Sequence, residues 1–236
     1  AMLFGQNSGL PAHYRRLPGN ISDVSTLRTT VKSLDFLGAG KLHFVLDRGF
    51  YSVGNIDELF RHHHKFTIAL PAGRNWVKKI LDRHCDSIAS PANYRMITED
   101  EALYVATEFY RWGENNHRSW LHIFYNAERA ADAFDRFTRE LIGYRDEVLS
   151  GEPVENHEEF YRRYLVVRDT PKRGLRVDFN DEEIRKHRNR YSGFFCILSN
   201  KVKNAEQALA IYRRKDVVEN CFDDLKNHLD MKRLRV

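Results

Sequence analysis

Apolar residues in the amino-terminal part of the chain recur with two different periods, and each period predicts a different kind of element. Leu3-Phe4 and the alternating stretch 11–17 predict two strands, joined as a β-hairpin by the turn residues Gly5-Gln-Asn-Ser-Gly9. Between Val24 and Leu34 the apolar residues adopt helical spacing, as on the buried face of an amphipathic helix. The chain therefore opens with a predicted hairpin followed by a helix.

The next apolar run ends in an acid. Leu42-His-Phe-Val-Leu-Asp47 has the composition of a buried central strand, which would deliver Asp47 at its carboxyl end. A tight turn over 48–52, a helix over 56–63 capped by Asn55, and a strand over 66–70 are predicted to follow. Because helices alternate with buried strands, we predict an α/β sheet with at least one parallel pair.

After Gly73 the chain becomes richer in β-forming residues. Strands are predicted over 102–112, 119–125, 161–167 and 175–179, with a long charged helix over 128–149. A buried strand over 193–198 then leads into an amphipathic helix over 208–226.

Three segments follow from this change of pattern. Residues 1–72 are predicted to form the first part of one core, and residues 192–236 its final strand and helix. Residues 73–191 are predicted to be a mostly-β insertion between these two parts.

The helix predicted near the end of the chain carries four polar residues on one face. At about 100° per residue, Tyr212, Lys215, Glu219 and Lys226 fall within an arc of roughly 60°. One carboxylate is thus framed by two lysines and a phenol. The plain alternative is the solvated face of an amphipathic helix.

Composition narrows the class of protein. The 236 residues carry a net charge of +5, which permits a polyanionic partner such as DNA or RNA. The three cysteines are scattered, which fits buried thiols in a reducing compartment and not a disulfide framework or zinc site. The sequence has no apolar run long enough to cross a bilayer and no export signal, so we expect no membrane partner.

The polar face resembles a family signature. Tyr212, Lys215, Glu219 and Lys226 match the Tyr-(2)-Arg-(3)-Glu-(6)-Lys spacing of DDE transposases from bacterial insertion sequences, with Lys215 where that family usually has Arg. Asp47-Arg-Gly-Phe50 after an apolar strand resembles the segment that carries the second catalytic acid of these enzymes. The resemblance covers residues 1–72 and 192–236.

The resemblance implies a ribonuclease-H-like α/β core and the chemistry of a transposase. Asp47 and Glu219 would be catalytic and would bind two Mg²⁺ (or Mn²⁺) ions, while Tyr212, Lys215 and Lys226 would contact the DNA backbone. The implied activity is metal-dependent cleavage and strand transfer at insertion-sequence ends.

The implied partners are double-stranded DNA with terminal inverted repeats and target DNA. Because two ends are joined together, a dimer on DNA is expected. The implied location is the cytoplasm of a bacterium, in association with the nucleoid.

One departure from the family pattern concerns the first catalytic acid. In the family it lies on the opening strand of the core, upstream of the segment that corresponds to Ala1–Gly5. We therefore expect an amino-terminally truncated domain with two of three acids, and weak or absent Mg²⁺-dependent cleavage by this chain alone.

Two rival functions remain open. The chain would be a transposase remnant that only binds DNA, or a related nuclease that acts on RNA–DNA hybrids or Holliday junctions.

Adjacent helical positions cannot converge on one ion, so His62-His-His64 is not predicted to be a metal site. Trp76, Trp112 and Trp120 are predicted to serve in packing, and Lys232-Arg-Leu-Arg235 either contacts DNA or is a solvated tail.

Overall fold

Strands and helices alternate along most of the described chain. The computed structural model describes residues 2–4, 11–14, 23–36, 42–187 and 191–215. Its strands are β1 (Met2–Phe4), β2 (Pro11–Tyr14), β3 (His43–Leu46), β4 (Lys65–Leu70), β5 (Tyr94–Met96), β6 (Ala102–Trp112), β7 (His117–Tyr125), β8 (Leu165–Thr170), β9 (Gly174–Phe179) and β10 (Phe194–Ser199). Its α-helices are α1 (Asp23–Phe36), α2 (Val53–Arg61), α3 (Asn75–His84), α4 (Ala127–Ser150), α5 (Glu158–Tyr164), α6 (Asp181–His187) and α7 (Ala205–Arg213).

Six strands form one mixed sheet in the order β3-β4-β10-β7-β6-β5. β3 and β4 are parallel, as predicted, and the remaining neighbours are antiparallel. β1 and β2 form the predicted hairpin as a separate two-stranded sheet. The architecture is α/β and consistent with a ribonuclease-H-like core, which confirms the predicted fold class.

One face of the mixed sheet packs against the first three helices. The helix residues in this core cluster are Leu27, Val31, Ile56, Leu59, Val77, Ile80 and Leu81. They pack against strand residues such as Phe66, Ile68 and Leu121, all fully buried. Each such burial stabilises the fold by roughly 1.5–3 kcal/mol. The apolar faces of these helices and strands therefore pack together in one core. This packing fixes the position of β3.

The opposite face of the sheet packs against α7. Ala208 and Leu209 of this helix are buried against Phe124 of β7 and Ile197 of β10. His122 lies beneath the start of α7, where its Nε2 bonds the carbonyl of Val202 at 3.0 Å. The final helix is thereby fixed across the face of the sheet.

The segment 73–191 contributes both to the sheet and to a peripheral layer. β5, β6 and β7 extend the same six-stranded sheet, and β7 pairs with the whole length of β10. The hairpin β8–β9 packs with α4 and α5 in a separate small cluster. The boundaries of the predicted insertion stay a prediction.

Two local predictions are wrong. The cap of α2 is Ser52, whose side chain accepts a hydrogen bond from the backbone N–H of Asn55, so Asn55 lies inside the helix. The strand predicted over 161–167 begins only at Leu165, because Tyr161 and Tyr164 lie on α5. These two tyrosines are one helical turn apart and both are buried, which favours the helix.

Within the described ranges, no helix has both the length and the apolar character that crossing a membrane requires.

Candidate active site

Asp47 follows β3 directly and is held by a short turn. Its backbone carbonyl accepts a hydrogen bond of 3.0 Å from the N–H of Phe50, which closes a 3₁₀ turn over Arg48–Phe50. Phe50 packs back against the core. Its carbonyl accepts a 2.8 Å bond from the Asn55 side chain. The position of the Asp47 carboxylate is therefore fixed by both β3 and α2.

α7 approaches Asp47 from the other end of the chain. Asn204 caps the helix, and its side chain accepts a hydrogen bond of 2.8 Å from the N–H of Gln207. The buried residues Ala205, Ala208 and Leu209 face the sheet. Tyr212, one turn beyond Leu209, consequently projects along the sheet toward β3.

Tyr212 and Asp47 are in direct contact. The phenolic hydroxyl donates a hydrogen bond of 2.7 Å to Oδ1 of Asp47, across 165 positions of sequence. The two segments that carried the family resemblance therefore meet in space, at the carboxyl end of β3.

The surroundings of Asp47 favour its ionised form. Burial by itself raises the pKa of this carboxyl group. Hydrogen bonds from Tyr212 and from the backbone of Arg48, together with the charges of Lys215 and Arg48, outweigh burial and lower the pKa below its ordinary value. Asp47 is therefore a carboxylate at neutral pH, which is the form that binds a hard cation.

Lys215 adds positive charge beside this carboxylate. Its ammonium group lies 5.4 Å from the centre of the Tyr212 ring, one turn away on the same side of the chain. A phosphate that approaches Asp47 would meet this charge. The structure thus brings Asp47, Tyr212 and Lys215 together.

A salt bridge that the sequence analysis did not identify anchors α7. The guanidinium of Arg213 bonds both carboxylate oxygens of Glu101, at 2.8 Å and 2.6 Å. Glu101 lies in the turn between β5 and β6. Both side chains are partly buried, and the hydrogen bond from Arg213 lowers the pKa of Glu101 against the opposing effect of burial. No local pattern links the two residues, so only the fold reveals the pair.

Two predicted site residues, Glu219 and Lys226, lie outside the described residues, as does Lys232-Arg-Leu-Arg235. The helix predicted from residue 208 begins at Ala205 and is described as far as Arg213, followed by a turn at 214–215. The alignment of Glu219 with Tyr212 and Lys215 stays a prediction.

The donor chemistry of Asp47 fits a divalent cation. Its carboxylate is ionised, and across the described residues it forms no ion pair with an arginine that would compete for it. No cluster of three metal-ligating side chains occurs within the described ranges. Glu219 is the second donor that the sequence predicts.

Two further predictions concern the histidine run 62–64 and the tryptophans Trp76 and Trp112. α2 ends at Arg61 with His62 as its C-cap, so the prediction that the three histidines occupy adjacent helical positions is wrong. Among the described residues no metal-ligating cluster includes them. Trp112 is 4% exposed, and its indole N–H donates to Asp57 at 2.7 Å. Trp76 packs against the same core and donates to the Tyr51 hydroxyl at 2.8 Å. Trp76 and Trp112 therefore pack as predicted.

Comparison with known protein families gives a match over the full sequence. A family model described as a transposase DDE domain matches residues 1–236. No curated protein and no solved structure matches the chain.

Proposed function

The chain belongs to the transposase DDE domain family, and from this premise we propose that it is part of a transposase catalytic domain, which cuts and joins DNA strands at the ends of an insertion sequence with the help of divalent metal ions. The reacting groups are phosphodiesters of double-stranded DNA. Because two ends must be held together for joining, we propose that the chain acts as a dimer on DNA.

The hydrogen bond between Tyr212 and Asp47 carries this proposal. It joins the carboxyl end of β3, where the family pattern predicts one catalytic acid, to α7, which precedes in sequence the position where the pattern predicts another. Lys215 lies beside the Tyr212 ring, so a positive charge is close to the ionised carboxylate of Asp47. A surface helix with a purely solvated polar face does not require such a contact.

Asp47 and Glu219 are proposed to hold the metal ions. A divalent cation in such a site stabilises the negative charge that develops on the reacting phosphate. Lys215 and Lys226 neutralise neighbouring phosphates, and Tyr212 fixes the orientation of the Asp47 carboxylate. A hydrogen bond to the ligand carboxylate is a common way to orient a metal ligand.

Metal titration with DNA present tests the proposal. We expect Mn²⁺ affinity, measured by calorimetry on a complex with an insertion-sequence end, to fall at least about tenfold in Asp47→Asn and in Glu219→Gln, a loss of about 1.4 kcal/mol. Glu206→Gln is the matched control, because Glu206 lies on α7 but pairs with Arg95.

Unchanged Mn²⁺ affinity in both acid variants, with DNA binding intact, would contradict the proposal. That result would favour the rival function, a protein that binds DNA without catalysing its cleavage.

A further inference from the structure

The β6–β7 hairpin presents an aromatic and basic surface to solvent. We define the β6–β7 outer face as Phe109 and Arg111 of β6, Arg118 and Trp120 of β7, and Lys203 just before α7. Phe109 pairs directly with Trp120, and Arg111 pairs directly with Arg118. Because side chains alternate along a strand, all four strand residues lie on one side of the hairpin.

The other side of this hairpin is rigidly packed. Trp112 is buried in the main core and contacts Trp76 edge-on. His117 stacks on Phe60 with ring centroids 4.4 Å apart. The β6–β7 outer face therefore lies on a well-packed part of the sheet. Phe109 itself is 50% exposed.

Aromatic rings hold the three cations of the β6–β7 outer face. Arg111 lies 5.7 Å from the centre of the Phe109 ring. Arg118 and Lys203 lie 5.9 Å and 5.5 Å from the centre of the Trp120 ring. Such contacts order long side chains before a ligand arrives, so less side-chain entropy is lost on binding.

These cations have no carboxylate partner. Among the described residues, Arg111, Arg118 and Lys203 enter no ion pair. Two like charges directly opposite each other on neighbouring strands destabilise a sheet. An anionic partner that fits between the cations removes this repulsion.

We propose that the β6–β7 outer face binds phosphates of duplex DNA, at a distance from the site at Asp47. This inference rests on the proposed function, because it takes DNA as the ligand of both sites. The rings place the guanidinium and ammonium groups, and these groups contact the DNA backbone without reading its sequence.

The position of this face suits a duplex that also reaches Asp47. In the sheet, Val45, Thr67, Ser199, Trp120 and Phe109 form one row of paired positions. Asp47 lies two residues beyond Val45, so it shares the same face of the sheet. Four inter-strand steps of about 4.8 Å separate β3 from β6 by roughly 19 Å. A duplex covers that length in about six base pairs.

Salt dependence of DNA binding tests the proposal. For a short mixed-sequence duplex, the slope of log affinity against log salt concentration should weaken by about 0.9 for each of Arg111→Ala, Arg118→Ala and Lys203→Ala, and by about 2.7 for the triple variant. Arg139→Ala is the control, since Arg139 is exposed but already pairs with Asp135, and its slope should equal that of the unaltered protein. Arg111→Lys should retain the slope, which separates lost charge from lost folding.

An unchanged slope in the triple variant overturns the proposal. So does a self-association of the protein that disappears in Phe109→Ala while the slope is retained, because the face would then bind a second copy of the chain. The Mn²⁺ titration of Asp47→Asn and Glu219→Gln is independent of these variants. Failure of the metal site and failure of this DNA surface are therefore distinguishable.

Discussion

At the residue scale, Tyr212 helps to keep the Asp47 carboxyl group ionised. Its hydroxyl bonds Oδ1 of Asp47 at 2.7 Å, and this bond is among the interactions that lower the pKa of the carboxyl group despite burial. The family resemblance alone implied that the tyrosine contacts DNA. The structure shows a contact with the catalytic candidate itself, so Tyr212 is positioned to prepare the carboxylate for a cation.

Tyr212→Phe should raise the pKa of Asp47, because it removes this hydroxyl donor and leaves the ring in place. A depressed folded-state pKa contributes stability above the unfolded pKa, and this contribution is lost as pH falls through the folded pKa. The variant should therefore lose less stability than the unaltered protein on acidification. A ¹³C NMR titration of the Asp47 carboxyl group measures the shift. Tyr94→Phe, at an exposed position, is the control, and identical titrations of Asp47 in all three proteins would disprove the role of Tyr212.

At the element scale, β3 and its turn were predictable while the placement of α7 was not. The strand and its terminal acid are visible as one apolar run, because local sequence is enough to specify a buried strand. α7 begins three residues before the predicted start, since Asn204 caps it. Its anchor, the Glu101–Arg213 pair, depends on where the β5–β6 turn lies in the folded chain, which no local pattern encodes.

Reversal of either charge in this pair should displace α7. Glu101→Arg and Arg213→Glu should each lower the free energy of unfolding by about 1 kcal/mol, and the double variant should recover much of that loss. Urea unfolding measures the change, and the Asp47 titration reports whether Tyr212 has moved. Glu206→Arg, which reverses a charge in a more exposed pair on the same helix, should have a smaller effect. Additive losses in the double variant would show that the two residues do not interact.

At the scale of the whole molecule, one face of the sheet carries both proposed DNA contacts. Asp47 and Tyr212 lie at the end of β3, the β6–β7 outer face lies four strands away, and α7 packs between them. The net charge of +5 permitted a polyanionic partner but gave no position for its binding site. That location depends on strand register, which brings Arg111 opposite Arg118.

The central claim is that folding brings the carboxylates of Asp47 and Glu219 together to share divalent ions. A crystal structure with Mn²⁺, in which anomalous scattering locates the metal, tests it most directly. We predict that the anomalous density marks a metal ion bound by carboxylate oxygens of both residues, at distances of about 2.0–2.1 Å, as for Mg²⁺. Carboxylates more than about 10 Å apart, or metal bound without either residue, would contradict it, since shared ions lie only about 4 Å from each other.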